Sequence, residues 1–374
     1  MFFNSLRTTS FRNLVDAEVF TGAKDVFLVG ENGQGKTNFL EALYFCAYAS
    51  SFRSVRDSEM ARNSFLKNGE KDFCAEVKIS QSLNDKILIK YENEKKQIFI
   101  NEKRAEDRRE LLSIAPSIVF CHEDMEFVSG SPERRRWFFD QTLSLYDPVY
   151  LEDLRRYRRV LKSRNAVLRD LAQHKPAENP DLILDALDPQ FAMYGQKIME
   201  KREKAAQEFS SVFGPLYEEV CGICGITIQY IQSWKSDDFN SYLKERRAAD
   251  MAAGLSLSGP HRDRYQFTHN IRGGSGSGKV DFTGNASTGQ RRLLALLLRA
   301  AQARRYSAET QQLPILLLDD VLLEMDGEKR RRFLSVLPGY DQAFYTFLPE
   351  EPYQRYQKED TLVYKVVLGE LKTD

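Results

Sequence analysis

Cysteine is scarce in this chain of 374 residues: there are five, an odd number, which argues against a disulfide framework. Cys221 and Cys224 form a lone CxxC in apolar surroundings. A structural zinc takes four ligands, and no second Cys or His pair stands ready to complete the set, so a buried thiol pair is expected there. Net charge is also missing, with 54 basic residues against 54 acidic ones. A neutral total neither requires nor forbids a nucleic-acid partner, because that depends on whether basic residues gather on one face. No apolar run is long enough for a signal peptide or a membrane span, from which a reducing, cytoplasmic setting is expected. What is present is 42% hydrophobic residues, enough for two modest domains or one large domain carrying an insertion.

The first ~115 residues read as strands with one helix. Residues 26–29 form a short apolar strand and 37–48 a helix, followed by three strand-like segments at 73–80, 86–91 and 97–100 that suit an antiparallel meander. Near residue 130 the pattern becomes helical. Ser131-Pro132, Asp147-Pro148 and Asp188-Pro189 each place a capping side chain before a proline at a first helical position. Leu151, Leu154, Tyr157, Leu161, Leu168 and Leu171 recur at helical spacing after the second of these. The spacing predicts a helical hairpin joined by 173–187, with arms of roughly 20–30 residues, or about 30–45 Å. Strand pattern returns at 226–234 and after 255. The C-terminal part reads as helix 291–305, apolar strand 315–318, helix 327–336, and strands at 342–347 and 361–368.

Gly30-Glu31-Asn32-Gly33-Gln34-Gly35-Lys36-Thr37 fits G-x-x-x-x-G-K-[ST], with an apolar strand before it and a helix after it. Glycines permit a tight loop whose backbone N–H groups face phosphates, and the helix that continues through Asn38 adds its positive end. Lys36 is placed to reach the β- and γ-phosphates of ATP, and the Thr37 hydroxyl to ligate Mg²⁺. Gly273-Gly274-Ser275-Gly276-Ser277-Gly278-Lys279 resembles that loop, but Val280 replaces the hydroxyl residue and a strand follows; it reads as a hairpin turn.

Ile315-Leu316-Leu317-Leu318-Asp319-Asp320 is an apolar strand ending in two carboxylates, the place where an α/β sheet presents ligand-binding groups. Asp319 is assigned to the metal and Asp320 to orienting or deprotonating the attacking water. Between these motifs, Ser287-Thr288-Gly289-Gln290 precedes an apolar helix, whose N-terminus is a potential anion site.

The three motifs, in this order and with a helical insertion between the first two, resemble the ATPase heads of the ABC superfamily. Further segments resemble the RecF family of bacterial recombination mediators: Ser10-Phe11-Arg12-Asn13, the loop extended through Asn38-Phe39-Leu40-Glu41-Ala42, Ser51-Phe52-Arg53, Glu123-Asp124, 132–140, Gly259-Pro260-His261-Arg262-Asp263 and 316–321. The resemblance covers essentially the whole chain. It implies an α/β P-loop ABC-type head with an antiparallel β subdomain and an inserted helical arm domain. The expected division is 1–115, 116–254 and 255–374, the first and last forming one ATPase lobe. It further implies a homodimer formed on ATP binding, in which Ser287, Gly289 and Gln290 of one subunit cover the γ-phosphate held by the other. It also implies slow DNA-dependent hydrolysis, double-stranded and gapped DNA as partners, and action with RecO and RecR in loading RecA. The chain departs from the superfamily pattern at Thr288, where glycine is preferred. It departs again at Leu323-Glu324-Met325-Asp326, which lacks a small polar residue before Glu324, and at Glu123, where a glutamine is expected. Thr346 stands where many ABC proteins carry a switch histidine, which makes it the candidate nucleotide sensor.

The helix near 151–171 holds Arg155, Arg156, Arg158, Arg159, Lys162, Arg164 and Arg169 against three acidic residues. Arg155, Arg156, Arg159 and Lys162 are the candidate phosphate contacts on DNA, with 134–136 and 329–332 as further basic runs. No aromatic-interleaved strand marks a single-strand reader, so duplex binding is expected. Heads of the SMC class need very long coiled-coil arms, against an insertion here of about 120 residues. The basic hairpin speaks against a transporter ATPase subunit, and the Ser287 motif is superfluous in a small-molecule kinase.

Overall fold

The computed structural model describes residues 2–53, 56–62, 71–80, 85–174, 179–234, 236, 238–271, 278–322 and 325–373. The chain forms two compact units: Met1–Asp124 with Ala303–Asp374, and Met125–Gln302.

In the first unit, apolar runs without alternation become strands covered on both faces. Their order is Glu370–Thr373, Leu362–Val367, Asp25–Val29, Gln342–Phe347, Ile315–Leu318 and Ser117–Phe120, parallel except for the first pair. Every residue of the last four strands is buried. The helix Lys36–Tyr48 is buried at 11 of its 13 positions, as a helix packed on both sides must be. A second, wholly antiparallel sheet orders its strands Ala17–Phe20, Phe2–Thr9, Phe73–Ser80, Asp85–Glu92, Lys95–Ile100 and Lys103–Arg104. Its meander turns at Asn93-Glu94 and Asn101-Glu102. All four of these residues have positive φ, the conformation a two-residue hairpin demands and asparagine tolerates.

The second unit holds the helices Pro132–Tyr146, Pro148–Ala172, Pro180–Cys221 and Phe239–Ala253, and an antiparallel sheet of Gly278–Asp281, Arg264–Ile271 and Ile226–Ile231. The last two of those strands pair directly, so backbone hydrogen bonds bind the chain across residue 254. For that reason the later division lies at 302/303 rather than 254/255, and because Ser117–Phe120 pairs with Ile315–Leu318 the earlier one lies at 124/125 rather than 115/116. The helix Phe239–Ala253 has no counterpart in the sequence reading. The start of the 278–281 strand follows the glycine-rich loop, whose residues 272–277 lie outside the described residues; the chain turns helical at Phe282 instead of continuing as a strand. Cys221 is half-buried and Cys224 exposed, neither in a disulfide, instead of forming a buried pair. Among the described residues no helix is long and apolar enough to cross a membrane.

The helical hairpin differs from its expected form. Asp147 caps its helix by accepting from the Tyr150 N–H at 2.8 Å, but Ser131 makes no side-chain cap. Asp188-Pro189 opens nothing: the helix begins at Pro180 and runs 42 residues, with Pro189 inside it. Asp188 is committed to packing. It accepts from Nε of Arg164 at 2.8 Å, while Arg164 Nη1 reaches Asp250 on the helix Phe239–Ala253 at 2.7 Å. Arg164 also donates to Ser256 Oγ and lies over the Phe191 ring, and none of its side chain is exposed. A fully desolvated guanidinium is tolerable only with both carboxylates in place.

Arg164→Ala is therefore expected to destabilise the protein by about 3–5 kcal/mol in urea unfolding, by removing the cation from buried Asp250 and leaving Asp188 to Arg247 alone. Arg159→Ala, an exposed position on the same helix, should change stability by less than about 0.5 kcal/mol.

Candidate nucleotide site

Strand register assembles the site. Ile315–Leu318 and Gln342–Phe347 pair with Leu318 opposite Tyr345, so Asp319 follows alongside Thr346. On the other side Phe347 pairs with Val29, and the Gly30 N–H donates to Phe347 O at 3.1 Å. Three strand ends thus bring the glycine loop, Thr346 and the two aspartates to one edge. Thr37 and Asp319, 282 positions apart, meet in a hydrogen bond of 2.8 Å from Oγ1 to Oδ1.

The loop needs its glycines for different reasons. A Cβ on Gly30 would lie 2.4 Å from Val366 O, whereas Gly33 and Gly35 have φ of 79° and 115°. Lys36 is 3% exposed, and its Nζ bonds the carbonyls of Gly30 at 2.6 Å and Glu31 at 3.1 Å. That folds the ammonium back over the loop's own concavity. The side chain and carbonyl of Gln34 accept from the N–H groups of Leu368 and Gly369 at 2.6 and 2.8 Å. Glu31, Asn32 and Gly33 are exposed.

A brace that the sequence reading does not assemble, though it assigns Asn38 to ATP binding, holds the loop from behind. Asn13 Nδ2 donates to Gly33 O at 3.0 Å, and Asn38 donates to Asn13 Oδ1 at 2.6 Å. Arg53 donates to Asn38, and both Arg53 and Arg12 donate to Glu41, whose side chain is wholly buried. Burial alone would raise the Glu41 pKa; the Arg12 hydrogen bond, the Arg53 charge and the Ser51 hydroxyl outweigh it and hold the carboxyl below its ordinary value. Glu41 lies one helical turn beyond Thr37, a spacing legible in sequence, but its partners come from two other segments.

At the acidic end, burial and then the neighbouring Asp320 push Asp319 up to about 7, against the Thr37 hydrogen bond and the Arg53 charge. Glu123, exposed on the turn His122–Phe127, adds to the same rise. Asp320 has φ of 49°, a left-handed conformation that aspartate tolerates better than most residues. Its N–H donates to Thr346 Oγ1 at 2.7 Å, and that hydroxyl lies 2.9 Å from Asp320 Oδ1. Thr346 is buried at 3% exposure, so it ties the two carboxylates to the middle strand. Leu323 and Glu324 lie outside the described residues, and Asp326 caps the helix Gly327–Val336. The donor set of hydroxyl and carboxylate oxygens fits a hard cation such as magnesium.

The remaining predicted residues, apart from the run 329–332, belong to the second unit. Ser287 and Gln290 form a reciprocal capping box at the helix Thr288–Thr310, with Ser287 N–H to Gln290 Oε1 at 2.8 Å and Gln290 N–H to Ser287 Oγ at 3.2 Å. Ser287, Thr288 and Gly289 remain exposed. On the basic helix, Arg159 and Lys162 are exposed and Arg155 is half-exposed, while Arg156 pairs with Glu152 at 2.9 Å. Arg164 must be removed from that surface. The other basic runs are tied into the fold: Arg135 donates to the carbonyls of Val128 and Tyr265, and Arg136 to that of Asp263. Lys329, Arg330 and Arg332 pair with Asp326, Glu351 and Glu328.

Residues 2–363 match the family model of the RecF/RecN/SMC N-terminal domain. The chain is 41% identical over 363 residues to the DNA replication and repair protein RecF of Treponema pallidum, covering 96% of this chain and 98% of that one. It is 30% identical to its counterpart in Leptospira interrogans, covering 95% and 94%. A solved structure of the recombination mediator protein RecF with ATP, from the RecFOR pathway, superposes with a TM-score of 0.84 at 25% identity, covering 100% of this chain and 97% of that one. An Smc head bound to the C-terminal winged-helix domain of ScpA shares the fold, with a TM-score of 0.55 at 15% identity, covering 100% of this chain and 97% of that one.

A carboxyl whose folded pKa is raised from 3.8 to about 7 binds its proton more tightly in the folded chain. Without magnesium, its contribution is intact below pH ~4, declines as pH rises to ~7 and stays lost above, by up to about 4 kcal/mol. Asp319→Asn should abolish this slope. Urea unfolding in chelator should find the variant more stable than the parent at pH 8, with the difference closing toward pH 4.

Proposed function

The chain belongs to the RecF family of DNA replication and repair proteins, and from that premise we propose that it is an ATP-driven clamp of recombinational repair. It binds Mg·ATP at residues 30–38, dimerises around the nucleotide, and holds double-stranded DNA at gapped junctions. With RecO and RecR it loads RecA there, in the bacterial cytoplasm. The observation that carries the reading is the 2.8 Å bond between Thr37 and Asp319, which joins the glycine loop and the acidic strand into one phosphate-and-metal site.

The roles follow from chemistry. Backbone N–H groups of the loop and the N-terminus of the helix Lys36–Tyr48 bind the phosphates. Lys36 leaves the Gly30 and Glu31 carbonyls for the stronger, charge-assisted contact with the β- and γ-phosphates. Thr37 and Asp319 hold magnesium, which when bound neutralises charge building on the phosphates. Asp320 orients the attacking water and accepts its proton, its carboxylate aimed by the left-handed backbone and the Thr346 hydroxyl. Threonine at 346 is neutral and cannot supply the positive charge of a protonated histidine, so hydrolysis is slow. Ser287, Gly289 and Gln290 cover the γ-phosphate held by a second copy. Their exposure supports this, since a capped helix end with a free glycine is open to an incoming phosphate.

Lys36→Ala is expected to abolish hydrolysis and ATP engagement. Asp320→Asn should keep ATP binding, lose turnover at least about 100-fold, and accumulate an ATP-bound dimer in light scattering. Ser287→Arg should bind ATP but stay monomeric; a normal ATP-dependent dimer of that variant removes the signature from the interface.

DNA affinity should fall steeply with salt. Charge reversal at Arg155, Arg156, Arg159 or Lys162 should lower the log–log slope by about 0.9 for every phosphate that the side chain neutralises. An unchanged slope in the combined variant moves the duplex surface elsewhere.

A further inference from the structure

A cavity of about 410 Å³ opens in the second unit beside the helices Pro132–Tyr146, Pro148–Ala172 and Pro180–Cys221. Four guanidiniums line it, from Arg136, Arg158, Arg202 and Arg262, against the carboxylates of Glu133 and Asp140. Asp140 is already spent: Arg202 Nη2 spans both its oxygens at 2.8 and 3.0 Å, and Tyr150 donates to it as well. Arg136 and Arg262 are held mainly by neutral groups, donating to the carbonyls of Asp263 at 2.7 Å and Ser256 at 3.3 Å. Carbonyls fix a guanidinium in place without neutralising it, and Arg158, 59% exposed, shares Asp140 with Arg202 through a longer contact of 3.3 Å.

The half-buried imidazole in the wall lies in the same field. Its Nε2 faces the Ser256 carbonyl at 3.1 Å, which can only accept, so Nε2 carries a proton; in the neutral ring Nδ1 then accepts from the Tyr157 hydroxyl at 2.7 Å. Burial, together with the charges of Arg262, Arg136 and Arg202, pushes it down to about 4. The cavity therefore keeps a positive potential that protonation of its histidine does not supply. At its edge stands Trp137, 40% exposed, its indole backed by Phe127 in a stacked pair at 5.7 Å. An anion site beside a supported, accessible aromatic face matches one chemistry, a phosphate joined to a flat base.

We propose that this cavity binds an unpaired nucleotide of a single-stranded nucleic acid, its phosphate among Arg136, Arg158 and Arg262 and its base on Trp137. It adds a single-strand contact to the duplex binding expected from sequence, where no aromatic-interleaved strand marks a single-strand reader; here the aromatic residue is on a helix. An unpaired base is required because only an unstacked base exposes its face to an indole.

Tryptophan fluorescence tests this directly. The chain has two tryptophans, and Trp234 is 3% exposed, so quenching by a ligand reports Trp137. Full-length protein without ATP is titrated with oligothymidine of about 12 nucleotides. The expected result is quenching that millimolar inorganic phosphate reverses and that Lys36→Ala leaves intact. Arg158→Glu and Arg262→Gln should each weaken it about tenfold, and Trp137→Ala should weaken binding about tenfold by anisotropy. Circular dichroism verifies that the variants are folded, and Arg158 is exposed enough to tolerate exchange. Absence of quenching at low salt, or quenching indifferent to both arginine variants, overturns the proposal. Equal affinity for thymidine monophosphate and for the oligomer also overturns it, by assigning the cavity to a free nucleotide.

Discussion

The proposed nucleotide site depends on the register of three parallel strands. Leu318 opposite Tyr345 and Phe347 opposite Val29 set the ends of the acidic, middle and loop strands at one level. A slip of one residue in any of them would turn Thr346 or Asp319 to the opposite face of the sheet, because side chains alternate along a strand. That register is held by burial on both faces rather than by any single contact: every residue of these strands is enclosed. The same enclosure desolvates Asp319, and a carboxyl that is costly to ionise in isolation is suited to receive a divalent cation. Stability given up at this position and the chemistry proposed for it have one cause.

Around this edge the first unit spends its buried charge on rigidity. Glu41 collects Arg12 and Arg53, and through Asn38 and Asn13 the network reaches the carbonyl of Gly33. A loop that presents backbone N–H groups to phosphate works only if those groups are already oriented, and the network orients them from segments far apart in sequence. The second unit uses the same means at Arg164 and Arg202, each enclosed and matched to carboxylates from other helices. Basic residues in this chain thus divide into those that hold the fold and those that face solvent, and both kinds occur within single runs. Arg158, Arg159 and Arg164 share one helix, yet only Arg164 is buried.

Much of the site is legible in the chain itself, because its signals are local. A glycine loop between an apolar strand and a helix, and an apolar strand ending in Asp-Asp, each carry their reason within about eight residues, since backbone conformation and helix polarity are short-range properties. The long helices follow from periodicity. What sequence misreads turns on partners remote along the chain. Asp188-Pro189 has the form of a helix start, and only the arrival of Arg164 and Arg247 shows that Asp188 sits mid-helix in an ion-pair cluster. Arg164 counts as surface charge for the same reason.

Sequence by itself determined the family, the two motifs that hold ATP and magnesium in the proposed function, and the alternation of sheet and helical regions. These rest on residue types at short fixed spacings, which any chain of this order must display. Tertiary structure decided that Thr346 lies between the carboxylates, that Glu41 anchors the loop, and which arginines are buried. It also decided that Trp137 stands beside a basic cavity. Each of those facts is a distance between segments separated by tens to hundreds of residues. Such distances are set by burial and strand pairing across the whole sheet or bundle, and no local pattern encodes them.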